Sequence, residues 1–269
     1  MDQKLIFVFP FLIFAFFAQN IFAQCEKENI AFQSGEKITY DLYFKYGVIN
    51  AKAGIGTLNT TTTNLNGKTV YKTQLQANTT GIADKMFPVN DTLTGYVDMK
   101  LVPLLFTKGA SEGGEYSSER QSFSYENGKI TIRTIRYRKG KLSFDEIITT
   151  DKCTYDYVSV LNYARNLDYS KMQPGENTHI QFVSGKKIVD MYLRYLGTTK
   201  VKTNDGKTYD AIELSLMILD KVFADQKEAM KVTLTDDLNR MPLIIDTGLK
   251  FGTMRCVLKD YSGLRYPIN

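Results

Sequence analysis

Tryptophan is absent from the 269-residue sequence, and histidine occurs once, as His179. Cysteine is nearly as scarce, with Cys25, Cys153 and Cys256 only. A single histidine excludes metal sites built from several histidines, and three cysteines cannot form a four-cysteine zinc site. No Cys-x-x-Cys spacing occurs, so a thioredoxin-like redox role has no support. We therefore expect no metal and no cofactor.

An excess of charge of either sign is also missing. The chain carries 34 basic and 29 acidic residues, a formal net charge of +5. This surplus is too small to indicate nucleic-acid binding, and we expect no nucleic-acid partner. Hydrophobic residues make up 43% of the chain and charged residues 23%, which is typical of a globular protein and not of a disordered one.

The N-terminus has the pattern of a signal peptide. Lys4 precedes an unbroken apolar run, Leu5 to Phe17, and the small residue Ala23 follows. We predict cleavage between Ala23 and Gln24, which makes residues 1–23 a signal peptide and residues 24–269 one β-rich domain. The protein is then exported, to the periplasm or out of the cell.

Two other fates of this N-terminus need weighing. The apolar run is near the short end for a retained membrane anchor, but the polar Gln19 and Asn20 before Ala23 favour cleavage. Cys25 raises the alternative of a lipid-modified cysteine. Gln24 directly before it argues against this, because such a site needs a small residue there.

If the protein is exported, its cysteines are expected to pair, because thiols tend to form disulfides in oxidising compartments. Cys256 lies in an alternating strand pattern and Cys153 just before a helix start, which makes them a candidate disulfide. Cys25, near the chain terminus, could reach either of them. A free, buried cysteine that packs as a small hydrophobe stays open as the alternative.

Period-two alternation is the dominant pattern of the mature chain, as Ile38, Tyr40, Leu42 and Phe44 illustrate. Such runs predict strands with one buried and one wet face. Between them lie five glycine-containing turn signals: Asn66-Gly67, Asn127-Gly128, Lys139-Gly140, Ser184-Gly185 and Asp205-Gly206. A change of phase between Ile132 and Ile135 predicts a β-bulge.

One segment has helical periodicity instead. Tyr157, Val160, Leu161, Ala164 and Leu167 recur at helical spacing, and Thr154 or Asp156 can cap the start. A shorter helical turn is expected at Ile82 to Met86. We predict a mainly β fold: a single antiparallel, strongly curved sheet or (half-)barrel with one packed helix.

Several short motifs, in this order, resemble the exported bacterial family called domain of unknown function 3108. They are Gly35-Glu36-Lys37-Ile38-Thr39-Tyr40, Lys45-Tyr46-Gly47, Asp156-Tyr157-Val158-Ser159, Tyr163-Ala164-Arg165-Asn166, and Thr235-Asp236-Asp237 with Arg240-Met241-Pro242. The resemblance covers roughly residues 30 to 266. It implies an exported β-rich domain, and it transfers no catalytic residue because the family has no assigned activity.

Six aromatic side chains are expected to point inward and to line a ligand groove: Tyr40, Phe44, Tyr96, Phe106, Phe123 and Phe182. If the sheet closes tightly, the same residues form an ordinary core. Asp236, Asp237 and Arg240 are interpreted as a structural polar turn with a salt bridge from Arg240, because adjacent strand residues face opposite ways.

Other polar groups carry weaker interpretations. Ser111 lies in a Gly-x-Ser-x-Gly pattern, but no helix follows it and the one base available, His179, opens a strand, so we favour a flexible loop over a hydrolase nucleophile. Arg165, Asn166 and Asp168, with Asp156 and Ser159 nearby, are expected on the solvent face of the helix, with a site at the helix–sheet boundary as the alternative. Six basic residues are expected to gather in one region, as edge protection or as a weak attraction to anionic membranes: Lys186, Lys187, Arg194, Lys200, Lys202 and Lys207.

The function predicted from the sequence is that of an exported, non-enzymatic protein. It binds a lipid or another hydrophobic or amphiphilic ligand, or an envelope component, on a concave β surface, and has at most peripheral membrane contact. A structural module that binds another envelope protein through loops or a sheet edge is the alternative. An enzyme that uses Ser111 or the carboxylates is a third possibility, with no catalytic residue assigned.

Overall fold

The computed structural model describes residues 25–218, 228, 230–248 and 252–268. The predicted signal peptide, residues 1–23, and the cleavage site before Gln24 lie outside these residues. Within the described part of the chain, no helix has both the length and the apolar character needed to cross a bilayer.

Strands dominate the described residues. They are β1 (Glu36–Tyr46), β2 (Ile49–Leu65), β3 (Lys68–Thr79), β4 (Val89–Val97), β5 (Pro103–Glu112), β6 (Glu115–Glu126), β7 (Lys129–Arg138), β8 (Lys141–Thr150), β9 (Thr154–Tyr155), β10 (Asn177–Ser184), β11 (Lys187–Lys202), β12 (Thr208–Ile218), β13 (Met230–Thr235), β14 (Pro242–Gly248) and β15 (Thr253–Ser262). The helices are α1 (Gly81–Met86), α2 (Ser159–Arg165) and a short 3₁₀ helix, Tyr169–Lys171.

All fifteen strands belong to one sheet that curls into a nearly closed barrel. Neighbours in sequence pair with each other, β1 pairs with β15, and the order runs from β8 through β1 and β15 to β9. Side chains bridge the remaining gap: Thr150 Oγ1 lies 2.8 Å from Gln181 Oε1, and Lys186 Nζ lies 3.6 Å from a Glu146 oxygen. The prediction of a mainly β, strongly curved sheet or barrel is confirmed.

Tight turns fix the register of the hairpins. Asn66-Gly67, Asn127-Gly128 and Lys139-Gly140 each place two successive residues at positive φ, the conformation that matches the twist of the flanking strands. The structure also places turns at Ser184-Gly185 and Asp205-Gly206. Asparagine and glycine suit these positions because they adopt positive φ at little steric cost.

The predicted bulge between Ile132 and Ile135 is wrong. Strand β7 pairs with β6 without interruption from Lys129 to Arg138, and its register with β8 shifts only between Arg136 and Tyr137. Ile132 is followed on the inner face by Thr134, which is buried, and by Arg136. The phase of the hydrophobic pattern changes because the inner face becomes polar, not because the backbone bulges.

The register defines two ends of the barrel. One, the hairpin-tip end, carries the tips between β1 and β2, β5 and β6, β7 and β8, and β10 and β11, together with α1. The other, the plugged end, holds α2 and both chain termini of the described part. Gln33 Nε2 donates to the carbonyl of Leu264 there, at 2.9 Å, and Arg265 Nη1 to that of Asn29, at 2.6 Å.

Helix α2 lies inside the barrel and plugs this end. Asn162 Nδ2 donates to Thr73 Oγ1 of β3 at 3.2 Å, and Val158, just before the helix, packs against Gly95 of β4 so closely that a Cβ there would lie 2.8 Å away. The expected solvent face is therefore wrong for Asp156, Ser159, Arg165 and Asn166, which are buried, whereas Asp168 is exposed. A helix surrounded by sheet has no wet side, and its polar groups need internal partners.

The candidate disulfide is corrected. Cys153 is bonded to Cys25, with the two Cα atoms 5.3 Å apart, and Cys256 is the free cysteine of the described residues. Cys256 lies in β15, far along the sheet order from β9, which Cys153 directly precedes. The N-terminal segment, by contrast, crosses the plugged end, where Asn166 Oδ1 accepts hydrogen bonds from the amides of Ile30 and Ala31.

Candidate functional site

A cavity of about 360 Å³ lies between α2 and the inner face of the sheet. Strands β1 to β3 and β10 to β15 form its wall, and α2 its floor. Nearly all lining side chains are apolar, among them Leu42, Leu58, Leu193, Leu214 and Val232. Its volume is within the roughly 300–1,000 Å³ of small-molecule sites, and apolar walls are typical of them.

Three of the six predicted aromatic residues lie at or beside this cavity. Tyr40 and Phe182 line it. Phe106 is buried behind Tyr157, which also lines the cavity, with a ring-centroid distance of 5.7 Å. The Tyr157 ring meets Phe182 edge-on at 4.6 Å.

The other three lie elsewhere. Phe123 packs in a separate cluster with Cys25 and Val102 towards the disulfide. Phe44 packs beside Gly252 at the hairpin-tip end. Tyr96 follows Gly95, which faces Val158 inside the barrel, so its side chain belongs to the outer face.

The sequence interpretation missed that aliphatic side chains of the sheet and of α2 line the cavity. Leu75 and Ala77 of β3 and Val160, Leu161 and Ala164 of α2 contribute to the cavity as much as the aromatic residues do. The helical periodicity had marked Val160, Leu161 and Ala164 as one apolar face. Whether an apolar face borders the cavity or packs against other side chains depends on how far α2 enters the barrel.

A polar wall continues the inner face beyond Tyr157, on β6 and β7. Glu119 is buried and accepts hydrogen bonds from the Arg136 guanidinium and, at 2.7 Å, from Gln121 Nε2. Thr134 is buried directly opposite Gln121. The Tyr157 ring lies 5.7 Å from that of Phe106, which is the strand partner of Gln121. Burial raises the pKa of Tyr157, with a smaller rise from Glu119 and a decrease from Arg136. Tyr157 therefore stands between an apolar and a polar surface.

The free thiol of Cys256 also lines the cavity. Burial raises its pKa to about 12. The thiolate is the nucleophilic form, so at neutral pH this sulfur is a poor nucleophile and acts as part of the apolar wall.

A buried ion pair holds α2 in place at the plugged end. Arg165 of α2 donates from Nη1 to Glu36 Oε1 at 2.6 Å and from Nη2 to Glu36 Oε2 at 2.8 Å. Nη2 also donates to the carbonyl of Asn239 at 2.9 Å, and the guanidinium lies 5.1 Å from the centre of the Phe32 ring. Bidentate geometry and added hydrogen bonds are what a buried charge pair needs to offset desolvation.

The turn after β13 supplies the Asn239 carbonyl. Asp237 Oδ1 accepts from the Thr235 hydroxyl at 2.6 Å and from the amides of Asn239 and Arg240, while Arg240 Nη1 pairs with Asp236 at 2.8 Å. These carboxylates organise the turn at the plugged end. Neither lines the cavity.

The start of α2 has its own cap. Asp156 Oδ1 accepts hydrogen bonds from the amides of Val158 at 2.8 Å and Ser159 at 2.9 Å, and Ser159 Oγ accepts from the amide of Asp156. Reciprocal bonds of this kind satisfy helix-terminal N–H groups that burial would otherwise leave without partners. The cap fixes the helix start, and hence the position of Tyr157.

The remaining candidate residues do not assemble into a site. Ser111 lies within β5, paired with Tyr116 across a hairpin, and so is not on a strand-to-helix turn. His179 pairs with Asp190 on exposed strand surface at 2.9 Å. The six basic residues are spread along β11 and its turns, from Lys186 at the hairpin-tip end to Lys207 near the plugged end. In the described ranges, no group of three His, Cys, Asp or Glu residues could hold a metal.

Comparison with known proteins gives a family and a fold. The model of the family described as protein of unknown function DUF3108 matches residues 39–259. No curated protein matches the chain. A crystal structure titled as a β-barrel-like protein of domain of unknown function DUF1849 from Brucella abortus superposes with a TM-score of 0.60 at 12% identity, over 86% of this chain and 99% of that one. At this identity the likeness shows the fold alone.

Proposed function

The chain belongs to the DUF3108 family of proteins of unknown function, and from its cavity we propose that it is an exported, non-enzymatic protein that binds an apolar or amphiphilic molecule. The apolar lining of the 360 Å³ cavity is the observation that carries this proposal. Water in such a space has few hydrogen-bond partners, so an apolar group that replaces it gains hydrophobic free energy. The volume suits one hydrocarbon chain or a small ring system.

The polar wall supports the amphiphilic variant of this proposal. Tyr157 and Ser184 line the cavity, and Tyr157 contacts Phe106, the strand partner of Gln121 in the polar wall. A molecule whose tail fills the apolar part can therefore keep a polar group at this boundary without burying it unpaired.

The disulfide supports export. Disulfides persist in oxidising compartments, and Cys25 and Cys153 are joined. The sulfur of Cys25 is used in this bond, so it has no thiol for attachment of a lipid. We propose that the processed protein starts at Gln24 and has no lipid anchor.

Native mass spectrometry of the protein, purified without detergent after export, tests the proposed ligand binding and the proposed start at Gln24. We expect a polypeptide mass that starts at Gln24, and a discrete added mass that is lost on denaturation or gained with envelope lipid extract. A polypeptide mass that stays unchanged after incubation with the extract would contradict the binding proposal.

A filled-cavity variant tests the site directly. Ala77 lines the cavity, whereas Asn78, the next residue of β3, is exposed on the other face. With the neutral fluorophore N-phenyl-1-naphthylamine as the probe, we expect Ala77→Phe to weaken binding about tenfold or more, or about 1.4 kcal/mol. The matched Asn78→Phe variant should bind as the unmodified protein does. Equal binding by both variants would exclude the cavity as the site.

A further inference from the structure

The barrel wall is interrupted between β8 and β10. Strands β8 and β9 are the two ends of the strand order of the described residues, so no ladder of main-chain hydrogen bonds joins them. β9 pairs with β10 at Gln181 and Phe182 only, and beyond Phe182 the edge of β10 faces β8 directly. The stretch of wall in which residues 183–187 lie against residues 141–147 of β8 is called the seam below.

Side chains hold the seam together. Lys186 Nζ lies 3.6 Å from Glu146 Oε1, and both side chains are about half exposed. The same ammonium lies 5.4 Å from the centre of the Phe144 ring, and the Arg136 guanidinium lies 5.3 Å from it. Exposed ion pairs contribute little to stability because water competes for them. The seam is therefore held more weakly than the β7–β8 and β10–β11 pairs beside it, each of which has a full ladder of hydrogen bonds.

The apolar cavity extends to the seam. Phe182 and Ser184 of β10 line it, and so does Tyr157, whose ring meets Phe182 edge-on. Tyr157 is 42% exposed although it packs against Phe182 and Phe106, so solvent reaches the cavity wall at this place. Elsewhere α2 closes the plugged end, and the strands from β10 through β15 to β3 pair without a break. The seam thus separates the cavity from solvent without main-chain hydrogen bonds.

The two kinds of inner surface also meet at the seam. The polar wall reaches it from one side, because Arg136 of β7 is the strand partner of Phe144 of β8. The apolar wall reaches it from the other side, with Phe182 of β10. An amphiphilic molecule in the seam can place its apolar part against Phe182 and its polar part beside Glu146 and Lys186, which stay in contact with water.

We propose that the seam is the portal through which the ligand enters and leaves the cavity, by separation of the β10–β11 hairpin from β8. This movement breaks the Lys186–Glu146 pair and the contacts of Phe144, and it leaves every strand pair intact. Parts of a protein with few stabilising contacts open most readily. The portal presupposes the ligand binding proposed above and adds the route by which the ligand reaches the site.

The test is stopped-flow uptake of N-phenyl-1-naphthylamine by protein with a cross-linked seam. Glu146→Cys with Lys186→Cys is joined by a bismaleimide. The matched control is Glu213→Cys with Lys231→Cys, because this ion pair has the same 3.6 Å spacing but spans the paired strands β12 and β13. We expect the seam cross-link to slow uptake about tenfold or more at unchanged equilibrium affinity, and the control cross-link to change neither. Cys256 should stay unmodified, since burial suppresses its thiolate form.

A charge reversal tests the seam in the opposite direction. Glu146→Lys places two ammonium groups across the seam and should speed uptake about threefold, because repulsion replaces the attraction to Lys186. Glu213→Lys faces Lys231 in the same way within a paired part of the sheet and should leave the rate unchanged.

Equal uptake rates in the seam-linked and control-linked proteins would overturn the portal, since the ligand would then enter past the hairpin tips. So would equal rates in Glu146→Lys and Glu213→Lys. Absence of probe binding to the unmodified protein would overturn the ligand-binding proposal and the portal with it. Normal probe binding with equal rates would overturn the portal alone, which keeps the two failures distinguishable.

Discussion

At the scale of single residues, Asp91 is an ionisable group with a strongly shifted pKa. It lies on the inner face of β4 opposite Ala77 and Ala110, beside Lys108 and Glu112. Burial, and then the neighbouring Glu112, raise the pKa of Asp91 to about 6, although Lys108 acts in the opposite direction. The folded protein therefore holds a proton on this group more tightly than the unfolded chain does.

The sign of the resulting pH dependence follows from linkage. Between pH 4 and 6 the folded state binds the proton that the unfolded state has released, so the contribution of Asp91 to stability declines as the pH rises through this window. We expect Asp91→Asn to be the more stable protein at pH 7, by about 1 kcal/mol after allowance for partial exposure, and to lose this advantage at pH 4. Urea denaturation of both proteins at pH 4 and pH 7 measures the difference in their free energies of unfolding. An equal gain in stability at the two pH values would contradict the raised pKa of Asp91.

At the scale of elements, the pair Glu36–Arg165 connects the start of β1 to α2 and, through the Asn239 carbonyl, to the turn before β14. Each of these segments carries a motif of the family resemblance. The structure thus gives a physical reason why the motifs occur together: they meet at one buried charge.

Removal of one partner should be costly because it leaves the other charge buried. We expect Glu36→Gln to lower the free energy of unfolding by about 3–5 kcal/mol. Asp210→Asn, which breaks the exposed pair with Lys200, should cost about 1 kcal/mol or less. Urea denaturation of the two variants gives the comparison, and similar losses would refute the special role of the buried pair.

At the scale of the whole molecule, the Cys25–Cys153 bond spans 128 residues and closes the N-terminal segment over the plugged end. Cross-linking so distant positions restricts the unfolded chain strongly. We expect reduction to cost about 2–5 kcal/mol and to lower the midpoint of thermal unfolding.

Circular dichroism melts with and without reductant measure this effect. The double variant Cys25→Ser, Cys153→Ser should melt at the lower temperature under both conditions. If Cys256→Ser, and not the double variant, abolished the response to reductant, the assignment of the Cys25–Cys153 bond would be contradicted.

Much of the fold could be predicted from the sequence because strands, turns and one helix each have a local signature. The five turn signals fall at turns and α1 lies where a short helix is expected, since positive φ at Asn-Gly and apolar periodicity are properties of a few neighbouring residues. The cavity could be predicted only in part. Tyr40 and Phe182 line it, but Phe123, with the same pattern, packs in a different cluster.

The sequence by itself determined the mainly β class, the curved sheet and the family, because alternation, turn residues and motif order are all written along the chain. Only the tertiary structure decided that α2 lies inside the barrel, that Arg165 finds Glu36, and that Cys153 bonds with Cys25. Each of these depends on which distant segments meet when the sheet closes. The sequence around Arg165 would read the same whether its side chain faced water or a buried carboxylate.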